Sequence, residues 1–118
     1  MKAQSENRPW GSFNVLCENP GYKVKSILVK PQQKLSLQSH KMRAEHWVVV
    51  QGIATVTVNE DIMRFTQGEY IYIPLGAKHR LENLSAELIE IIEVQIGDYL
   101  GEDDIVRYDD IYSRLSEQ

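Results

Sequence analysis

Gly68-Glu69-Tyr70-Ile71-Tyr72-Ile73-Pro74-Leu75-Gly76-Ala77-Lys78-His79-Arg80-Leu81-Glu82-Asn83 is the stretch that decides how this chain folds. The alternating Tyr-Ile-Tyr-Ile run reads as a strand, Pro74-x-Gly76 turns the chain, and His79 enters the next strand at a fixed place. A second element of this kind lies upstream. There Gln38-Ser39-His40 is followed by Glu45 and closed by Gly52. Together the two elements carry nitrogen and oxygen donors at spacings that suit one metal ion inside a small β-barrel.

The sequence around them supports that architecture. Alternating and β-branched runs cover Lys23 to Val29, Trp47 to Val50, Ala54 to Val58, Tyr70 to Ile73 and Leu88 to Gln95. Turn signals separate them at Asn19-Pro20-Gly21, Gln51-Gly52, Asn59-Glu60-Asp61, Gln67-Gly68 and Pro74-Leu75-Gly76. Short strands at this spacing, without helical crossovers, indicate an all-β antiparallel barrel or sandwich. The 118 residues read as one domain over 1–118. Only the end breaks the pattern. Gly101-Glu102-Asp103-Asp104 reads as an acidic turn, and Asp109-Asp110 is placed to cap a short C-terminal helix through Ile111, Tyr112 and Leu115.

Bulk properties exclude several function classes. The net charge is −4, which argues against a nucleic-acid partner. No apolar run reaches a membrane-spanning length, and the N-terminus lacks a signal-peptide pattern, so the expected location is the cytoplasm with no membrane partner. The single Cys17 has no internal disulfide partner and reads as a small strand residue. Of 13 basic residues, five (Lys34, Lys41, Arg43, Lys78 and Arg80) lie in or beside the two elements. They read either as solubilising turn residues or as a positive mouth for an anion such as a phosphate ester.

Residues two apart on a strand share a face, so Gln38 and His40 should look inward together. Lys41 to Ala44 would form a turn, and Glu45 would restart a strand with Trp47 and Val49 on its face. His46 then points the other way and reads as structural. Gln38, His40, Glu45 and His79 offer two imidazoles, a carboxamide and a carboxylate. That set suits one borderline divalent ion per chain, with zinc placed first and cobalt, manganese, nickel and iron as alternatives. It also leaves a coordination position open, as a catalytic site requires.

The chain resembles the type II mannose-6-phosphate isomerase cupin domain over nearly its whole length. The resemblance rests on Arg8-Pro9-Trp10-Gly11-Ser12-Phe13, on the first element from Leu35 to Gly52, on the second from Tyr72 to Asn83, and on Ile92 to Arg107. It implies a double-stranded β-helix, and it implies a homodimer. In many bacteria this domain is fused behind a mannose-1-phosphate guanylyltransferase. No nucleotide-binding pattern occurs in this chain, so a separate guanylyltransferase becomes a candidate partner. Departures from the cupin pattern are Gln32 for a common glycine, Gln38 for the commoner first histidine (as in this family), and Ser113 for a glycine.

The activity implied is interconversion of mannose 6-phosphate and fructose 6-phosphate through an enediolate, with a sugar phosphate as the small-molecule partner. Such chemistry needs an electrophile at the carbonyl, a base near C1 and C2, and a phosphate clamp. Glu93 shares a strand face with Gln95 and is the first candidate base; Glu45 is the alternative. Arg43 and Arg80 are the first candidates for the phosphate, followed by Lys78 and Lys34. Tyr70 and Tyr72 read as barrel packing, and Trp10 and Trp47 as core or dimer anchors. A non-catalytic, metal-containing cupin that binds a sugar phosphate is the competing reading. A metal-dependent oxygenase is a third.

Overall fold

The computed structural model describes residues 4–109, and all described regular structure is strand. A six-stranded sheet runs β1 (Gln4–Arg8), β2 (Gly11–Asn19), β3 (Tyr22–Val29), β10 (Ile89–Gly97), β5 (Arg43–Gln51) and β8 (Tyr70–Ile73). Facing it, a five-stranded sheet runs β11 (Val106–Asp109), β4 (Leu37–Ser39), β9 (His79–Glu82), β6 (Ala54–Val58) and β7 (Asp61–Phe65). Every pairing is antiparallel. This is the expected double-stranded β-helix. Among the described residues no helix is long and apolar enough to cross a membrane. The helix expected through Ile111, Tyr112 and Leu115 lies outside the described residues.

The inner faces change character along the barrel. In β10, Ile89 and Ile91 are fully buried in apolar contact, and the next inward residues are Glu93 and Gln95. Register extends this division sideways. Ile91 pairs with Val49 on one side and Ile27 on the other; Glu93 pairs with Trp47 and Lys25. Gln95 then pairs with Glu45 and Lys23. One end of the barrel is therefore an aliphatic core, and the other is lined with buried charge. The apolar end supplies the stabilisation, and each fully buried aliphatic side chain contributes about 1.5–3 kcal/mol.

Two local expectations change, and the core-or-dimer alternative for Trp10 resolves to the core. The turn before Glu45 is shorter than Lys41 to Ala44, because Arg43 already belongs to β5 and pairs with Gly97. Tyr70 and Tyr72 face outward, at 74% and 52% exposure, because Ile71 and Ile73 take the inward positions of β8. Trp10 and Phe13 are buried in this chain's own core, and β1 folds back on β2 from Gln4↔Val15 to Arg8↔Gly11. That apolar segment needs no neighbour to cover it.

Candidate metal centre

Three strand ends bring the donors together. His40 follows β4, Glu45 lies near the start of β5, and His79 opens β9. One ligand atom from each falls within 4.8 Å of the others, and all three residues are buried. Glu45 Oε2 lies 3.2 Å from His40 Nε2, and Oε1 lies 3.9 Å from His79 Nε2. A tetrahedral ion about 2.0–2.2 Å from each donor needs neighbours roughly 3.3–3.6 Å apart, so these separations bracket the requirement.

The backbone fixes both imidazoles. His40 Nδ1 bonds the Asp104 carbonyl at 2.7 Å, and His79 Nδ1 bonds the Ala77 carbonyl at 3.0 Å. A carbonyl only accepts, so each Nδ1 carries the proton and each Nε2 presents a lone pair inward. Burial, and then Arg43, pushes the His40 pKa down to about 4; burial dominates the lowering at His79. Both rings are thus held neutral, the form that ligates a metal.

Glu45 is oriented by its own strand. Trp47 Nε1 donates to Oε1 at 2.9 Å, and Arg43 Nε donates to Oε2 at 2.9 Å. Arg43 Nη2 also donates to His40 Nε2 at 3.2 Å. The guanidinium therefore satisfies lone pairs that a metal would take, so a bound cation must displace at least the His40 contact. On donor type, tautomer and spacing, His40, Glu45 and His79 fit a divalent ion.

Gln38 is half-buried beside them. It pairs in register with His79, and its amide nitrogen donates to Ser36 Oγ at 3.0 Å. Gln38, His40, Arg43 and Glu93 border one cleft of about 130 Å³. Glu93 is buried, and Gln95 Nε2 donates to its Oε1 at 2.7 Å. Burial, and then the neighbouring Glu45 carboxylate, pushes the Glu93 pKa up to about 8.

The basic residues divide. Arg43 is in the cleft. Arg80 lines a smaller cavity with Glu45, His79 and Glu93, and it ties β9 to β11 and to the segment before β4, donating to Leu35 O at 2.9 Å and to Asp109 O and Oδ2 at 3.0 Å. Lys78 is exposed, with Nζ 4.4 Å above the Tyr108 ring, and Lys34 bridges to Glu82; neither borders the cleft. Instead the cleft is bordered by Arg8, Lys25 and Arg107, together with Glu102. Sequence reasoning passed over Lys25 because lysines alternating with Val24 look like an outward face. His46 does point outward, stacking on Tyr72 at 4.8 Å. The larger hollow near Ile53, Ile62 and Leu84, which Thr55, Arg64 and Ser85 also line, holds none of the donors.

A family model described as "Mannose-6-phosphate isomerase C-terminal" matches residues 2–110. The chain belongs to that family. Members with which it aligns include the xanthan biosynthesis protein XanB of Xanthomonas campestris, 51% identical over 107 residues. A mannose-1-phosphate guanylyltransferase of Escherichia coli K12 is 51% identical over 108 residues, and the alginate biosynthesis protein AlgA of Pseudomonas putida is 50% identical over 109. These alignments cover 91–92% of this chain but only 22–23% of the relatives. The chain thus spans less than a quarter of their length. Among solved structures, a single-substitution variant of the oxalate decarboxylase of B. subtilis superposes with a TM-score of 0.80 at 20% identity, covering 90% of this chain and 30% of that one. An RmlC-like cupin from Shewanella frigidimarina gives 0.77 at 18% identity, covering 86% and 88%. The family therefore shares the cupin fold of these neighbours.

Proposed function

We propose that this protein is a metal-dependent isomerase that interconverts mannose 6-phosphate and fructose 6-phosphate. One observation carries the reading: the buried Glu93 carboxyl borders both the cationic cleft that His40 lines and the smaller adjoining cavity that Glu45 and His79 line, and the three donors cluster between them. The family description and the guanylyltransferase named among the relatives support a hexose phosphate as substrate.

In the aldose-to-ketose direction, a base removes the proton from C2 and a proton is delivered to C1, while the hydroxyl proton on O2 moves to O1. Glu93 is the group for the carbon protons, since it is the buried cleft carboxyl outside the donor set, whereas Glu102 is half exposed on a loop. A carboxyl raised toward neutrality takes up and returns a proton at similar cost. Gln95 orients it through the 2.7 Å hydrogen bond to Oε1. Zinc, or cobalt, manganese, nickel or iron in its place, held by His40, Glu45 and His79 with Gln38 beside them, would supply Lewis-acid polarisation of the carbonyl and its oxyanion.

A coupled assay on chelated protein reloaded separately with each of these metals tests the reading. Metal-restored turnover supports it; no turnover at verified occupancy overturns it. The guanylyltransferase named among the relatives favours one second reading. In it, the same site binds a sugar phosphate without turnover and serves a separate guanylyltransferase in polysaccharide synthesis. Retained binding without turnover selects that reading.

The homodimer belongs to the same proposal. The centre of the outer face of the six-stranded sheet carries Val48, Ile92, Val94, Ile96 and Tyr72 on adjoining strands, with no charge among them. Depletion of charge at the centre is the composition of an interface core, and a second copy is the occupant we assign to it.

A further inference from the structure

We propose that the cationic end of the barrel is a binding site for a phosphate group, and that the Glu102 carboxylate is its internal placeholder. The identity of the ester rests on the sugar-phosphate reading above; the anion chemistry does not.

Three cations converge on one acid. Lys25 Nζ lies 3.0 Å from Glu102 Oε1, while Lys23 Nζ and Arg43 Nη1 lie 3.8 Å and 3.6 Å from Oε2. Lys23, Lys25 and Arg43 are nearly fully buried, at 5–6% exposure, whereas the Glu102 side chain is 53% exposed. Burying charge is costly without a matched counterion. Lys23 has further partners in Leu100 O at 3.0 Å and Glu18 at 3.6 Å. Arg43 Nε also pairs with the buried Glu45 at 2.9 Å, which leaves Nη1 for Glu102, and Lys25 has Glu102 as its one ion pair among the described residues. A structural ion pair does not need three buried cations around one half-exposed, loop-borne carboxylate; a site for a dianion does.

Hydrogen bonding points the same way. Arg43 Nη1 is buried with no hydrogen-bond partner, and its nearest acid, Glu102, stands beyond bonding distance at 3.6 Å. A carboxylate offers two oxygens, and the terminal group of a phosphate monoester offers three. The additional oxygen would satisfy the donor that Glu102 leaves unmet. Phe13 forms the wall, with Lys25 Nζ 4.2 Å and Arg8 Cζ 4.9 Å from its ring centre. Phosphate at this end would share the cleft with His40 and Glu93.

Glu102 is built to leave. It sits in the loop between β10 and β11, and the cleft behind it holds about 130 Å³, below the roughly 300–1,000 Å³ of ordinary ligand pockets. The end of that loop is anchored separately. Asp104 accepts from Lys41 N and Met42 N at 2.9 Å each, and its carbonyl holds His40. Glu102 can swing out while the His40 clamp stays in place.

The test is calorimetric titration of the full chain and its variants with inorganic phosphate, mannose 6-phosphate and mannose, each variant first checked by thermal melting. Glu102→Gln removes the competing charge, and both phosphate compounds are expected to bind about tenfold tighter. Lys25→Gln is expected to weaken both by a similar factor, and neither change should alter the response to mannose. If Glu102→Gln melts early, Glu102→Asp, with its carboxylate withdrawn by one methylene, should show a smaller tightening. Unchanged or weaker phosphate binding in the folded variant would overturn the placeholder. Tightening for inorganic phosphate alone would overturn the ester assignment. These binding ratios stand or fall whether or not the protein turns over mannose 6-phosphate.

Discussion

The indole nitrogen of Trp47 donates to Oε1 of Glu45 at 2.9 Å, from two residues along the same inward face of β5. Trp47 is therefore both a core residue and the group that aims a candidate metal ligand. Trp47→Phe keeps most of the packing and deletes the donor. Leaving that buried oxygen short of a partner is expected to cost about 1–3 kcal/mol of stability. Metal affinity should fall by roughly 10–100-fold, the usual effect of removing a group that orients a ligand. Chelator competition and denaturant melts measure the two separately. An unchanged metal affinity would show that Trp47 only fills space.

His79→Ala should abolish stoichiometric metal, because Nε2 of His79 is one of the three clustered His and Glu donors among the described residues and its tautomer is set by Ala77 O. Elemental analysis of protein purified under metal-replete conditions reads this directly. A full equivalent of metal in the folded variant would remove His79 from the ligand set.

Acid should weaken the loop that carries Glu102. Burial alone would raise its pKa, but Lys25, Arg43 and Lys23 hold it below the ordinary value of 4.5. A depressed carboxylate contributes stability that is in place above the unfolded pKa and is lost as pH falls through the folded one. The group is half exposed, so the contribution is screened to about 0.2–1 kcal/mol. Wild type and Glu102→Gln should therefore show a constant melting-temperature difference above pH 4.5 that closes below it. A difference that widens in acid would contradict the assignment.

Val48→Glu places a charge at the centre of the outer sheet face, beside Ile92 and Tyr70 in register. Sedimentation should show a dimer for the wild type and a monomer for the variant, with the melt of the variant little changed. A dimer that survives the substitution would move the interface elsewhere.

The strand runs and turns were legible because each had its own local chemistry. Asn59, for instance, takes the positive φ of 53° in the β6–β7 turn that its sequence signals. The donors were legible because His40, Glu45 and His79 sit at strand ends with recognisable turns. The inner face of β3 was not. Lys23-Val24-Lys25-Ser26 alternates with either set inward, and local pattern favours burying valine. The lysines go inward because β10 presents Glu93 and Gln95 in register, Arg43 lies on the same inner wall, and Glu102 arrives from a loop 77 residues on from Lys25. Such long-range pairing leaves no mark on the sequence around Lys25. Tyr70 and Tyr72 show the same ambiguity, resolved by which face β5 offers them.

The most direct measurement follows fructose 6-phosphate in D2O by NMR, using metal-loaded wild type and Glu93→Gln. The expected result is mannose 6-phosphate that carries deuterium at C2 in the wild type. In the folded, metal-bound variant the rate should fall by about 10²–10⁴, as for loss of a general base. Absence of both product and exchange in the wild type, with metal occupancy verified, would contradict the isomerase and leave a sugar-phosphate-binding cupin.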